Sequence, residues 1–127
     1  MNLEKQIAFW KDGSVSNLES AEILLAKGKR LESLFFCHLA LEKILKAHAI
    51  KKTRALPPKH HNLLRLQELA DITLDESLVA FLAEMNEFAI EARCPIPFKE
   101  VPSLARCQQL LSKTQEIPKW LVSKLSA

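Results

Sequence analysis

The segment from Arg30 to Lys51 limits the fold of this chain more than any other. It reads RLESLFFCHLALEKILKAHAIK, without glycine or proline, and predicts one helix that crosses a small domain at about 1.5 Å per residue. At about 100° per residue, apolar side chains cover nearly the whole circumference of that helix. Such a helix must be surrounded by neighbours, so we expect it at the centre of the domain.

The rest of the sequence supplies helices that can surround this central element. Apolar side chains recur at helical spacing in residues 3–27, 61–70, 74–93 and 101–125. No segment has the alternation of a strand, and the connections between the helices are short. The sequence therefore predicts an all-α fold, an up-and-down antiparallel bundle of four to five helices, as a single domain over residues 1–127.

Local signals refine the ends of these helices. Asp12-Gly13-Ser14 is a weak point inside the first helix, and Pro118 predicts a kink in the last one. Thr73 and Glu76 have the spacing of a capping box, which predicts that the helix after them begins at Leu74.

Composition narrows the class of protein. Hydrophobic residues make up 48% of the 127 and charged residues 26%, as in an ordinary globular domain. A net charge of +3 is compatible with an anionic ligand but is low for a dedicated nucleic-acid binder. Cys37, Cys94 and Cys107 are odd in number and form no C-x-x-C pair, which indicates buried free thiols. Without a signal peptide or membrane span, a cytoplasmic protein with no membrane partner is expected.

Three charged residues interrupt the central helix, and two interpretations are open. Glu42 and Lys46, spaced i,i+4, can form a local ion pair while Lys43 points to water. Alternatively, the two lysines edge a groove in which their ammonium groups meet an anion, with Glu42 as their structural partner. The spacing alone does not separate these interpretations.

Several motifs occur together in a recognisable order. They are Trp10 followed by Leu18 and Ala21, then A-x-E-K-x-x-K-A over residues 40–47, then His61-Asn62-Leu63, and finally Arg93-Cys94-Pro95. In this order the chain resembles the HEPN domain family, whose E-K-x-x-K, H-D/N-L and R-Y-P signatures these segments match closely. The resemblance extends over essentially the whole chain.

The resemblance implies a helical bundle, commonly a homodimer, that binds a nucleotide or another phosphate-bearing ligand. It also implies a minimal nucleotidyltransferase as a partner protein, in a toxin–antitoxin-like pair. On this basis we expect four ligand-binding residues. Lys43 and Lys46 would contact the anion, Arg93 would clamp a phosphate, and His61 would supply a hydrogen bond whose strength varies with pH.

Ribonuclease activity is not favoured. HEPN ribonucleases carry R-x4-6-H on one helix, where the histidine moves a proton and the arginine stabilises phosphoryl charge. No histidine follows Arg93 here, so the usual motif is absent and no catalytic residue is assigned. Such activity would require His61 to meet Arg93 across space, for example at a dimer interface.

Two alternative functions stay open at this point. The first is a non-catalytic, dimeric interaction module in which Glu42, Lys43 and Lys46 make pairs across an interface. The second is a metal-independent toxin that cleaves RNA, and RNA is a further candidate ligand. No cofactor is expected, and the adjacent His60 and His61 do not have the spacing of a metal site.

Overall fold

The computed structural model describes residues 2–57, 59, 61–93 and 101–125, without the side chains of residues 90–93. This part of the chain contains five helices and no strand, which confirms the predicted all-α bundle. The helices are α1 Leu3–Ala26, α2 Arg30–Thr53, α3 Leu63–Leu69, α4 Glu76–Arg93 and α5 Leu104–Leu125. Both predicted interruptions lie inside continuous helices, Gly13 in α1 and Pro118 in α5.

Helix α2 lies at the centre of the bundle, as its sequence predicts. It packs against α1, α3, α4 and α5. Its buried apolar side chains face several directions, and Leu34, Leu41, Ile44 and Ile50 are all fully buried. Four neighbours are needed to cover a helix that is apolar nearly all round, and the bundle provides them.

Serine hydroxyls bind α1 and α2 together. Ser14 Oγ in α1 donates to the carbonyl of Ala40 at 2.6 Å, and Ser33 Oγ in α2 donates to that of Ala21 at 2.7 Å. All four residues are buried. Residue numbers rise along one helix as they fall along the other, so α1 and α2 are antiparallel. The small side chains at these points let the two backbones approach closely.

Contacts of α5 set the direction of the last helix. His48 contacts the carbonyl of Leu121, and Arg30 donates to the carbonyl of Pro102, so α5 runs in the same direction as α2. Against α1 it is antiparallel, with Gln115 bonded to Glu22. Helix α4 is antiparallel to α5, since Glu84 accepts from Arg106 and Phe81 lies beneath the ammonium of Lys113. The long helices therefore alternate in direction, and the short α3 lies within the connection between α2 and α4.

The predicted start of α4 is wrong by two residues. The helix begins at Glu76, and Asp75 rather than Thr73 caps it, since Asp75 Oδ1 accepts from the backbone N–H of Leu78 at 2.9 Å. Donation from that N–H and from the Ser77 hydroxyl lowers the pKa of Asp75. The preceding Ile72 is buried in the core, which fixes the chain just ahead of this cap.

A few apolar side chains stay on the outer surface of the bundle. On α1, Phe9 is 66% exposed and Ile23 is 61% exposed, and on α5 Trp120 is partly exposed. None of the described helices combines the length and the hydropathy that a bilayer crossing requires.

Candidate functional site

The Glu42 carboxylate is the centre of a buried polar cluster. Glu42 is only 4% exposed, and both of its oxygens are engaged. Oε2 accepts from Lys46 Nζ at 3.0 Å, and Oε1 accepts from His61 Nδ1 at 3.0 Å. Nδ1 of the fully buried His38 lies 3.7 Å from the same Oε1. A buried carboxylate has to be paired and hydrogen-bonded, and these neighbours meet that requirement.

Lys46 is enclosed between Glu42 and an aromatic ring. It is 5% exposed, and its ammonium lies 5.0 Å from the centroid of the Trp10 ring on α1. A cation over the face of an indole is stabilised by the ring quadrupole, more strongly when water is excluded. Lys46 is therefore a partner of Glu42 and Trp10 within the bundle, and its ammonium is covered.

His61 is the member of the cluster that is exposed to solvent. Its side chain is 55% exposed although its Nδ1 is bonded to the buried Glu42. A carboxylate only accepts hydrogen bonds, so Nδ1 bears the proton and Nε2 is the nitrogen that can meet another molecule. Burial and charge thus place a fixed carboxylate behind an accessible imidazole, an arrangement that orients the ring for binding or proton transfer.

The start of α3 holds His61 in this place. Asn62 caps the helix, with Oδ1 accepting from the backbone N–H of Leu64 at 3.0 Å. Asn86 on α4 then joins the cap: its Nδ2 donates to Asn62 Oδ1 at 3.0 Å, and its Oδ1 accepts from the N–H of Leu63 at 2.8 Å. The residue after His61 is therefore fixed to both α3 and α4.

Lys43 lies on the α1 side of α2, across the backbone of Gly13. Built on Gly13, a Cβ atom would lie 3.0 Å from Lys43 Cδ and 3.4 Å from Nζ. Lys43 is half-buried, and it makes no ion pair with any carboxylate of the described residues. Unlike Lys46, it does not pair with Glu42. Of the two lysines, Lys43 is the one at the surface.

Arg93 ends α4, but its side chain lies outside the described residues, as do Cys94 and Pro95. The structure thus brings Glu42, Lys46 and His61 together and places Lys43 one turn before Lys46. It leaves the position of the Arg93 guanidinium relative to His61 undescribed.

Sequence reasoning missed three members of this region. In the sequence Trp10 stands out only as part of a motif and Gly13 only as a weak point in a helix, and nothing assigns His38 to a site. Gly13 gave the one usable signal, because a glycine in the interior of a long helix is unfavourable unless space is needed. The contacts of Trp10 and His38 depend on the register of α1 and on the α2–α3 connection, which periodicity does not give.

Other buried titratable groups lie away from the cluster. His48 Nε2 donates to the carbonyl of Leu121 at 2.7 Å, and burial lowers its pKa. Burial raises the pKa of the Cys37 thiol to about 12 and also raises that of Cys107. Both thiols are free and buried, as predicted, and they are poor nucleophiles at neutral pH. Cys94 lies outside the described residues.

The fold and the cluster define a class of protein: a small helical bundle with a buried carboxylate behind a surface histidine. Within the described residues, no three side chains among His, Cys, Asp and Glu are grouped to hold a metal ion.

Comparison with known proteins gives the family. The model of the HEPN domain matches residues 7–125. The chain belongs to the HEPN domain family, which confirms the resemblance drawn from its motifs.

The crystal structure of TT1696 from Thermus thermophilus is similar over nearly the whole fold. Its TM-score is 0.80 with 22% sequence identity, and the match covers 98% of this chain and 99% of that chain. At that identity the similarity shows the fold alone. No curated protein sequence matches this chain.

Proposed function

We propose that this HEPN protein binds a nucleotide or another phosphate-bearing ligand through Lys43 and His61. The observation that carries this is the bond between the buried Glu42 carboxylate and the exposed His61 ring. Because Glu42 fixes Nδ1, the ring loses little orientational freedom when Nε2 meets a ligand. A protonated ring would offer an N–H to a phosphate oxygen, and such charge-assisted bonds are the stronger ones.

Each predicted site residue has a separate part in the proposed site. Lys43 supplies a positive charge at the surface, and His61 supplies the directed hydrogen bond. Lys46 acts from within by neutralising Glu42, whose carboxylate would otherwise repel an anion next to His61. Arg93 is included as the phosphate clamp on the basis of its motif alone.

The first test is a titration of the purified protein with ATP, inorganic phosphate and a short RNA, in which the melting temperature reports binding. A ligand at about 100 times its dissociation constant stabilises the folded state by about 2.7 kcal/mol, which is a clear rise. A rise with ATP or phosphate supports the proposal. No rise with either, at millimolar concentration, would refute it.

Variants assign the binding to the proposed residues. Lys43→Met and His61→Gln should each weaken ATP binding by about 10-fold or more, because each removes a contact to a charged group. Lys119→Met is the matched control, since it removes one exposed positive charge on α5. Equal losses in the control and in Lys43→Met would mean that only net charge matters.

We propose in second place a protein partner, either a second copy of the chain or a minimal nucleotidyltransferase in a toxin–antitoxin-like pair. Phe9 and Ile23, two exposed apolar side chains of α1, are the residues through which we propose this contact. Solution mass with Phe9→Ser and Ile23→Ser tests the homodimer, and mixing with a purified nucleotidyltransferase tests the other partner. Glu42→Gln distinguishes the two functions: altered assembly with unchanged ATP binding would assign the cluster to the interaction module.

A further inference from the structure

Gly13 occupies a position where glycine is ordinarily avoided. It lies in the middle of α1, which extends from Leu3 to Ala26, and glycine is among the least favourable residues in a helix interior. Gly28, the other glycine, has a positive φ of 77° and ends the helix region, so its use is conformational. Gly13 is not among the residues with positive φ. Its use must be the space that it leaves.

That space is filled by the end of one side chain. A Cβ on Gly13 would meet Cδ of Lys43 at 3.0 Å, Nζ at 3.4 Å and Cε at 3.6 Å. These are the last three heavy atoms of the lysine, so its side chain lies lengthwise over the bare backbone of α1. At Gly28, by contrast, an added Cβ would have no neighbour within 4 Å.

We propose that Gly13 is a positioning residue, which forms a notch in α1 that holds the Lys43 ammonium at the ligand site. The part that concerns the ligand rests on the proposed function. A lysine has many rotamers, and ordering it on binding costs affinity. A lysine already seated in the notch avoids much of that cost. The notch thus makes α1 a functional part of a site whose other groups are Lys43 on α2 and His61, two residues before α3.

A methyl group at position 13 would press on Lys43 without breaking the bundle, because the atoms it meets belong to the flexible end of a long side chain that can shift. Gly13→Ala should therefore preserve or raise the melting temperature, as alanine favours the helix. Ser16→Ala is the matched control, since Ser16 is an exposed residue of the same helix. It changes helix propensity in the same direction and leaves the notch untouched.

The packing of Lys43 in the notch is tested without any ligand. Each protein is treated with a limiting amount of an amine-reactive acetylating reagent, and the modification of every lysine is followed by peptide mass spectrometry. In Gly13→Ala, labelling of Lys43 should rise at least about twofold relative to the exposed Lys119, and in Ser16→Ala it should not change. An unchanged ratio of Lys43 to Lys119 labelling in Gly13→Ala would show that the notch does not hold Lys43.

The consequence for binding is tested by a double-mutant cycle with ATP. Gly13→Ala should weaken affinity about three- to tenfold when Lys43 is present and should have no effect in the Lys43→Met background. An equal loss in both backgrounds would show that Gly13 does not act through Lys43 and would overturn the positioning role. Unchanged ATP affinity together with raised labelling of Lys43 would also overturn the positioning role.

Failure of the proposed function gives a different pattern. If the wild-type protein binds neither ATP nor phosphate, the ligand site is refuted, and the positioning role is refuted with it. The labelling ratio still decides whether Gly13 seats Lys43, because that measurement needs no ligand.

Discussion

Replacing Lys46 with methionine should destabilise the fold severely, although the loss of a lysine usually costs little because most lysines are exposed. Methionine keeps most of the length and apolar volume of the side chain but leaves the Glu42 carboxylate buried without its nearest cation. At the 3.0 Å that separates Lys46 Nζ from Glu42 Oε2, two unit charges attract by about 5 kcal/mol at an effective dielectric constant of about 20. Breaking one side of a buried pair costs about 3–5 kcal/mol in proteins.

The hydrogen bond from His61 to Glu42 remains in this variant and favours the lower end of that range. A loss of about 3–5 kcal/mol corresponds to a fall of about 10–20 °C in melting temperature for a domain of this length. Urea unfolding followed by circular dichroism measures the free energy directly. The single variants Lys46→Met and Glu42→Leu should each show a loss of this size.

The double variant Glu42→Leu with Lys46→Met is the decisive control. It removes both charges and fills their place with apolar groups, and such replacements are often neutral or stabilising. We therefore expect its stability to exceed that of either single variant by at least about 2 kcal/mol. A Lys46→Met variant that loses less than about 1 kcal/mol would behave like an exposed ion pair and would refute the buried cluster.

Three further results are expected. Burial lowers the pKa of His48 from the ordinary 6.5, so below that pH the unfolded chain binds more protons than the folded one. Stability therefore falls as pH drops through the folded pKa of His48. His48→Gln should flatten the resulting fall in melting temperature between about pH 7 and about pH 5. The pKa of Asp75 is lowered, so its contribution to stability is present above the ordinary 3.8 and is lost as pH falls through the folded value. Asp75→Asn, which still caps α4, should remove this acid dependence. Asp75→Ala should also lower the melting temperature at pH 7. Gly28→Ala should cost about 1 kcal/mol in urea unfolding, because an alanine at its φ of 77° is strained.

Much of the fold could be predicted because it depends on one strong pattern. Apolar side chains all round α2 require neighbours on every side, and this requirement led to both the bundle and the central position of α2. The start of α4 was misplaced for a reason of the same kind. Thr73 and Asp75 are both good capping residues, so local preference does not decide between them, and in the structure Asp75 caps the helix.

The candidate site was only half accessible to sequence reasoning. The spacing of Glu42 and Lys46 allowed the ion pair, but its burial depends on Trp10 in another helix. His61 lies 19 positions after Glu42, beyond the end of α2, in a connection whose path no periodicity describes. Lys43 and Lys46 are only three residues apart, yet the Lys43 side chain lies over Gly13 and the Lys46 ammonium lies against the Trp10 ring.

The two hydroxyl bonds between α1 and α2 also determine how the molecule opens. Ser14 and Ser33 each donate to the backbone of the opposite helix, so neither helix can slide or detach without breaking both bonds. Amide protons near these serines should exchange with deuterium only through global unfolding, while those of the short α3 exchange through local fraying. Because Lys46 lies between Glu42 on α2 and Trp10 on α1, the buried ion pair should be lost only when these two helices separate, so that loss of the pair and loss of the fold become a single event.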